Sequence, residues 1–145
     1  MNIIDNYKDV LNKYAVFDGR AGRGEYWYFT LANFIIGFVL GFIGAIMKDA
    51  KTVTDLLFAV YVLAILLPSI AVSIRRLHDT NRSGWWLLVS LIPFVGPIVL
   101  LVFMILDSTP GQNAYGPNPK GAPAAPVVSI TPTSPAPPTT PENTV

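Results

Sequence analysis

Hydrophobic positions in this chain gather into three unbroken blocks, residues 26–47, 56–74 and 85–106, and polar positions collect between them. The blocks are 22, 19 and 22 residues long and contain no Asp, Glu, Lys or Arg. As helices rising about 1.5 Å per residue they match a hydrocarbon core ~30 Å thick. A soluble core helix of that length carries charge on its outward face, and these carry none. The pattern predicts an all-α integral membrane protein with three transmembrane helices.

The blocks are not alike. Pro68 should kink the second, and Ser69 and Ser73 are placed to bond the backbone groups it frees. The third is interrupted at Pro93, Gly96 and Pro97. A kinked full span is the expected form, since neighbouring helices can satisfy a broken backbone. The alternative is a re-entrant hairpin of two half-helices, which brings both ends of the block to one face. Ahead of the first block, Ile3, Ile4, Tyr7, Val10, Leu11 and Tyr14 recur at helical spacing, with Asp5, Lys8, Asp9 and Lys13 on other faces. This predicts an N-terminal amphipathic helix lying at the membrane interface or across the bundle end.

Three regions result. Residues 1–24 hold the amphipathic helix and a Gly/Arg-rich boundary loop, and residues 25–119 form the membrane domain. Residues 120–145 form a proline-rich tail, which is expected to be disordered. Ten of the 13 prolines lie from Pro110 onward, among too few large apolar residues to offset ordering entropy. The first block follows 25 mostly polar residues and exceeds the length of a signal-peptide core, so it is read as an uncleaved span.

Composition sharpens this picture only where it says what is missing. Charged residues make up 13% of the chain, about half the usual share, so where each charge sits matters more than the net +1. With no cysteine there is no disulfide framework and no thiolate chemistry. Lys8, Lys13, Arg20, Arg23, Arg75, Arg76 and Arg82 lie on one side of three spans, against Lys48, Lys51 and Lys120 on the other. The seven-to-three split puts the N-terminus in the cytoplasm. With a hairpin the split is eight to two and the tail is cytoplasmic as well.

Three strings at the block boundaries stand out. The first comprises Phe17, Gly19, Arg20, Arg23, Glu25, Tyr26 and Trp27. The second runs from Arg75 and Arg76 through Leu77, His78, Asp79, Arg82, Ser83 and Gly84 to Trp85 and Trp86. The third holds Pro110, Gly111, Asn113, Tyr115, Gly116, Pro117, Asn118 and Pro119. Together, over about residues 17–119, they resemble the domain-of-unknown-function 805 family of small bacterial inner-membrane proteins. The resemblance implies a multi-pass protein of the bacterial inner membrane and implies no activity. The proline-rich extension after Lys120 is outside the pattern.

For chemistry, Arg20, Arg23, Glu25, Arg75, Arg76, His78, Asp79 and Arg82 share one interface in the three-span topology. They predict a salt-bridged network at headgroup level, in which Arg75 or Arg76 supplies Glu25 with a partner. The surplus arginines would meet anionic lipid headgroups or an acidic partner. Gly37, Gly41 and Ala45 form a small-residue face for close helix approach, within the chain or in a homo-oligomer, and Asn33 beside it needs an interhelical hydrogen-bond partner. His78 is the sole histidine, and Asp79 is adjacent to it rather than on a shared helical face, so no metal site is expected. Neighbouring arginines should disfavour its protonation. No catalytic triad, phosphate loop or cofactor motif is present, and nothing supports nucleic-acid binding. The function expected is therefore non-enzymatic, a structural or interaction component of the membrane. The alternative is a subunit of an oligomeric transporter or channel. That role needs a polar path, and only Thr30, Asn33, Ser69, Ser73 and Ser90 are polar within the blocks.

Overall fold

The computed structural model describes residues 2–121, so the expectation of a disordered tail falls outside the described residues apart from Lys120 and Gly121. The described residues contain helices and no strands, with only an isolated bridge between Asn113 and Gly116. Helix α1 (Ile3–Asn12) is capped by Asn2, whose side chain accepts the Asp5 N–H at 2.9 Å. Val10 and Asn6 are buried, whereas Ile3, Ile4, Leu11 and Tyr14 stay exposed.

Helices α2 (Arg23–Ile46) and α3 (Lys51–Asp79) pack against each other and are both long and apolar enough to cross a membrane. A 3-10 turn over Lys48–Ala50 joins them. Phe34 and Leu63 are 71% and 70% exposed, so these helices do not bury their apolar side chains in a core of their own. Pro68 sits inside α3 without ending it. The Ser73 hydroxyl donates to the Ser69 carbonyl at 2.7 Å. Helix α3 closes on Asn81 in the left-handed region (φ 58°), with the Arg82 N–H returning to the Leu77 carbonyl at 3.0 Å.

In the third block the chain turns back on itself, as in the hairpin alternative to a kinked span. It forms a 3-10 segment, Gly84–Leu91, and a short helix α4 (Val95–Ile105), packed on one another as a hairpin. At the tip Phe94 adopts φ 65° and ψ −53°, the centre of a tight γ-turn closed by the Val95 N–H donating to the Pro93 carbonyl at 2.7 Å. Just beyond it, a Cβ on Gly96 would lie 1.9 Å from the Val89 carbonyl oxygen, so the two arms meet backbone to backbone. Trp86 and Phe103 pair edge to face across the arms at 5.3 Å. Both ends of the hairpin rest on the last turns of α3: Gly84 against Ile74, and Met104 and Leu106 against Arg76. Each arm is about half the length needed to cross a bilayer, at ~2.0 Å per residue for 3-10 and ~1.5 Å for α geometry.

The small buried core lies where α1, the boundary loop, α2 and α3 meet. Val10, Ala21, Phe29 and Val72 form it, with Tyr7 and Tyr26 packed against them.

Candidate functional site: a buried arginine–carboxylate cluster

The C-terminal turn of α3 projects Arg75, Arg76 and Asp79, all buried. Asp79 is the hub. Its Oδ1 accepts Arg20 Nε at 2.9 Å, and its Oδ2 accepts both Arg76 Nη1 and the Ser108 hydroxyl. Two guanidiniums thus share one carboxylate whose side chain is 0% exposed.

The remaining donors of both arginines go to backbone carbonyls. Arg20 reaches Gly111, Gly116, Thr109 and Asp79 itself. Arg76 reaches Met104 with two nitrogens and Leu106 with one. Those carbonyls close the end of α4 and line the loop after it. A planar five-donor fork suits this use, because several orphan carbonyls can be satisfied by one charged group.

The loop from Asp107 to Asn118 is the part that sequence reasoning missed. Asn113 donates to the His78 carbonyl at 2.8 Å, Asn118 donates to the Thr109 carbonyl at 2.9 Å, and the Tyr115 ring stacks on His78 at 3.8 Å. Gly116 at φ 127° lets the chain turn back there. The signal was available: Asn113, Tyr115, Gly116 and Asn118 all belong to the third boundary string. Its asparagines and glycines are docking residues, not generic loop filler.

A second ion pair lies apart from the hub. Arg75 Nη1 donates to Glu25 Oε1 at 2.6 Å, whereas Arg75 Nε and Nη2 are buried with no hydrogen-bond partner among the described residues. Of the two candidates for Glu25, the structure selects Arg75. Arg23 pairs with Asp107 at 3.2 Å in a more exposed position, and Asp107 also takes Lys120 at 2.5 Å. The Lys120 hydrogen bond holds the Asp107 carboxyl below the usual carboxylate range. Arg82 joins no carboxylate: it lies 4.2 Å over the Phe103 ring and donates to the Thr80 carbonyl.

His78 Nδ1 faces the Gly19 carbonyl at 3.2 Å, so this nitrogen carries the proton. Among the described residues no cluster of three metal-ligating side chains occurs.

On the α2–α3 contact, Asn33 finds its partners. Its Oδ1 accepts Tyr61 OH at 2.6 Å and Tyr7 OH at 3.4 Å, and its Nδ2 donates to the Phe29 carbonyl. Thr30, Asn33, Ser69 and Ser73 line one crevice of ≈ 220 Å³. The expected small-residue face is only partly a contact within the chain. A Cβ on Gly37 would touch Phe58 at 3.9 Å, one on Gly41 would meet nothing within 4 Å, and Ala45 is exposed. The tight approach is at Gly44, where a Cβ would lie 3.2 Å from the Thr54 hydroxyl, one position before Ala45 of the expected face.

Comparison with known proteins is consistent with this geometry. Residues 14–117, which include the first two boundary strings and the third as far as Pro117, match the family model described as "Protein of unknown function (DUF805)". The chain is 45% identical over 118 residues to the "Inner membrane protein YhaH" of Escherichia coli (strain K12), covering 81% of this chain and 98% of that protein. It is 47% identical over 114 residues to the "Inner membrane protein YhaI" of the same strain, covering 79% and 94%. A more distant relative, "Uncharacterized protein YiiR", is 30% identical over 129 residues, covering 69% and 83%. No solved structure matches.

Proposed function

Because the chain belongs to the DUF805 family of inner-membrane proteins, we propose that it is a non-enzymatic structural or interaction component of that membrane. Helices α2 and α3 cross the bilayer. The N-terminus, the Arg82 loop and the segment after α4 lie on the cytoplasmic side, and the third block dips into the cytoplasmic leaflet and returns. The eight-to-two distribution of basic residues supports this orientation. The amphipathic α1 lies at the cytoplasmic surface, with its exposed Ile3, Ile4 and Leu11 toward lipid.

One observation carries the reading. The acid and arginine side chains of the boundary strings bind the chain's own segments, drawing the boundary loop, the hairpin and the returning loop onto Asp79. Arg20 and Arg76 are therefore unavailable to a substrate. The cations left for anionic headgroups or an acidic partner are Lys8 and Lys13, which are exposed, and the half-buried Arg23 and Arg82.

The polar crevice between α2 and α3 favours the second reading, a subunit of an oligomeric transporter or channel. Toward the other end of these helices lies a separate groove, lined by Leu40, Gly41 and Phe58 together with Lys51, Thr54 and Asp55, and it shares no lining residue with the polar crevice. Purification in native lipid followed by mass spectrometry and reconstitution separates the two. The structural reading predicts reproducible co-purification of lipid or membrane partners and vesicles that stay tight to small ions. Solute flux abolished by Asn33→Leu would favour transport.

A further inference from the structure

A groove of ≈ 530 Å³ lies between α3 and the first arm of the hairpin, and none of the hub residues Arg20, Arg76 and Asp79 lines it. Its floor is apolar, built by Ile70 and Ile74 from α3 and by Leu87 and Leu88 from the 3-10 arm. Its mouth carries Asp18 and His78. From His78 down to Ile70 is two turns of helix, about 12 Å at ~1.5 Å per residue. The groove thus has a polar rim at headgroup level and an apolar shaft running into the leaflet. Its size is within the ~300–1,000 Å³ range of small-ligand sites.

The chemistry of the rim selects the occupant. Asp18 is exposed and makes no ion pair or hydrogen bond among the described residues. His78 has Nδ1 engaged with the Gly19 carbonyl, which leaves Nε2 as an acceptor in the neutral ring. The Ser83 hydroxyl already accepts the Trp85 N–H. No lysine or arginine lines this groove. A rim that offers a free carboxylate and acceptors, with no cation, disfavours a headgroup of net negative charge and suits one whose phosphate is balanced by its own ammonium.

We propose that this groove holds one acyl chain of a phospholipid whose headgroup bears a primary ammonium, with the ammonium at Asp18. The site rests on the membrane topology proposed above. It differs from the arginine-based headgroup contacts in selecting the opposite charge.

Trp85 lines the groove and, with the other two tryptophans replaced (Trp27→Phe and Trp86→Phe), supplies the probe. The full chain is reconstituted in vesicles containing phosphatidylethanolamine or phosphatidylglycerol with brominated acyl chains, at equal mole fraction, and tryptophan quenching is compared. Asp18→Asn removes the charge without breaking a protein contact, so it should fold. The expected result is stronger quenching by the ethanolamine lipid, equivalent to a roughly two- to five-fold preference, the scale of one partly exposed ion pair. Asp18→Asn should abolish that preference. Equal quenching by both lipids, a preference for phosphatidylglycerol, or a preference that survives Asp18→Asn would overturn the site while leaving the topology standing. Absence of quenching by either lipid would overturn both.

Discussion

Arg20 Nε donates to Asp79 Oδ1 at 2.9 Å, joining residues 59 positions apart in side chains that are 1% and 0% exposed. Arg76 enters the same carboxylate from the other side. Removing the carboxylate leaves two guanidiniums buried without a counter-charge, a change that typically costs 3–5 kcal/mol, or about that range here. Asp79→Asn is therefore expected to lower the denaturation midpoint in detergent sharply. Arg20→Gln should in addition free the loop after α4 to protease, since Arg20 holds the Thr109, Gly111 and Gly116 carbonyls. An Asp79→Asn protein as stable as the parent would remove the hub from the account.

Two adjacent arginines should respond differently to lysine. Arg76 uses four donor contacts and Arg75 uses one, with two of its nitrogens lacking a partner. A lysine can replace a single ion-pair contact but not a fork. Arg75→Lys is expected to be near neutral, and Arg76→Lys to cost about 2 kcal/mol or more through orphaned carbonyls. A Glu25→Gln/Arg75→Gln double-mutant cycle should be non-additive, and the Glu25/Arg76 cycle additive to within ~0.5 kcal/mol. The reverse pattern would place the ion pair wrongly.

Glycines on α2 give a third comparison. A side chain at Gly44 meets Thr54, while one at Gly41 meets open space. Gly44→Leu should destabilise the fold by ~1–3 kcal/mol through overpacking. Gly41→Leu should leave the monomer's denaturation midpoint unchanged. If Gly41→Leu instead shifts the oligomer profile, that position packs between copies of the chain.

The helices and their solvent were legible in the sequence because charge-free blocks of bilayer length have few other uses. Membership of the site was legible too, since Arg20, Arg76 and Asp79 sit beside aromatic belts. What was not legible was which groups meet. Arg20 and Asp79 are brought together by the loop geometry around Gly19 and Ala21, whose N–H reaches the Arg75 carbonyl at 2.9 Å. Glu25 had two adjacent arginines to choose from, and helical phase decides between them only once α2 and α3 are packed. The hairpin was announced by Pro93, Gly96 and Pro97. Choosing it over a kink requires knowing that Gly96 touches Val89 and that Arg76 caps the returning arm, both of which are tertiary facts.

The central claim is that the third block turns back, so that the chain after α4 returns to the side from which the block set out. The chain has no cysteine, so single thiols report their location without background. Asp49→Cys, Asn81→Cys and Lys120→Cys are each exposed to a membrane-impermeant thiol reagent from outside the inner membrane. The account predicts that Asp49→Cys is modified and that both Asn81→Cys and Lys120→Cys are protected until the membrane is opened. Modification of Lys120→Cys from outside, with Asn81→Cys still protected, would mean that the third block crosses the bilayer and would contradict the account.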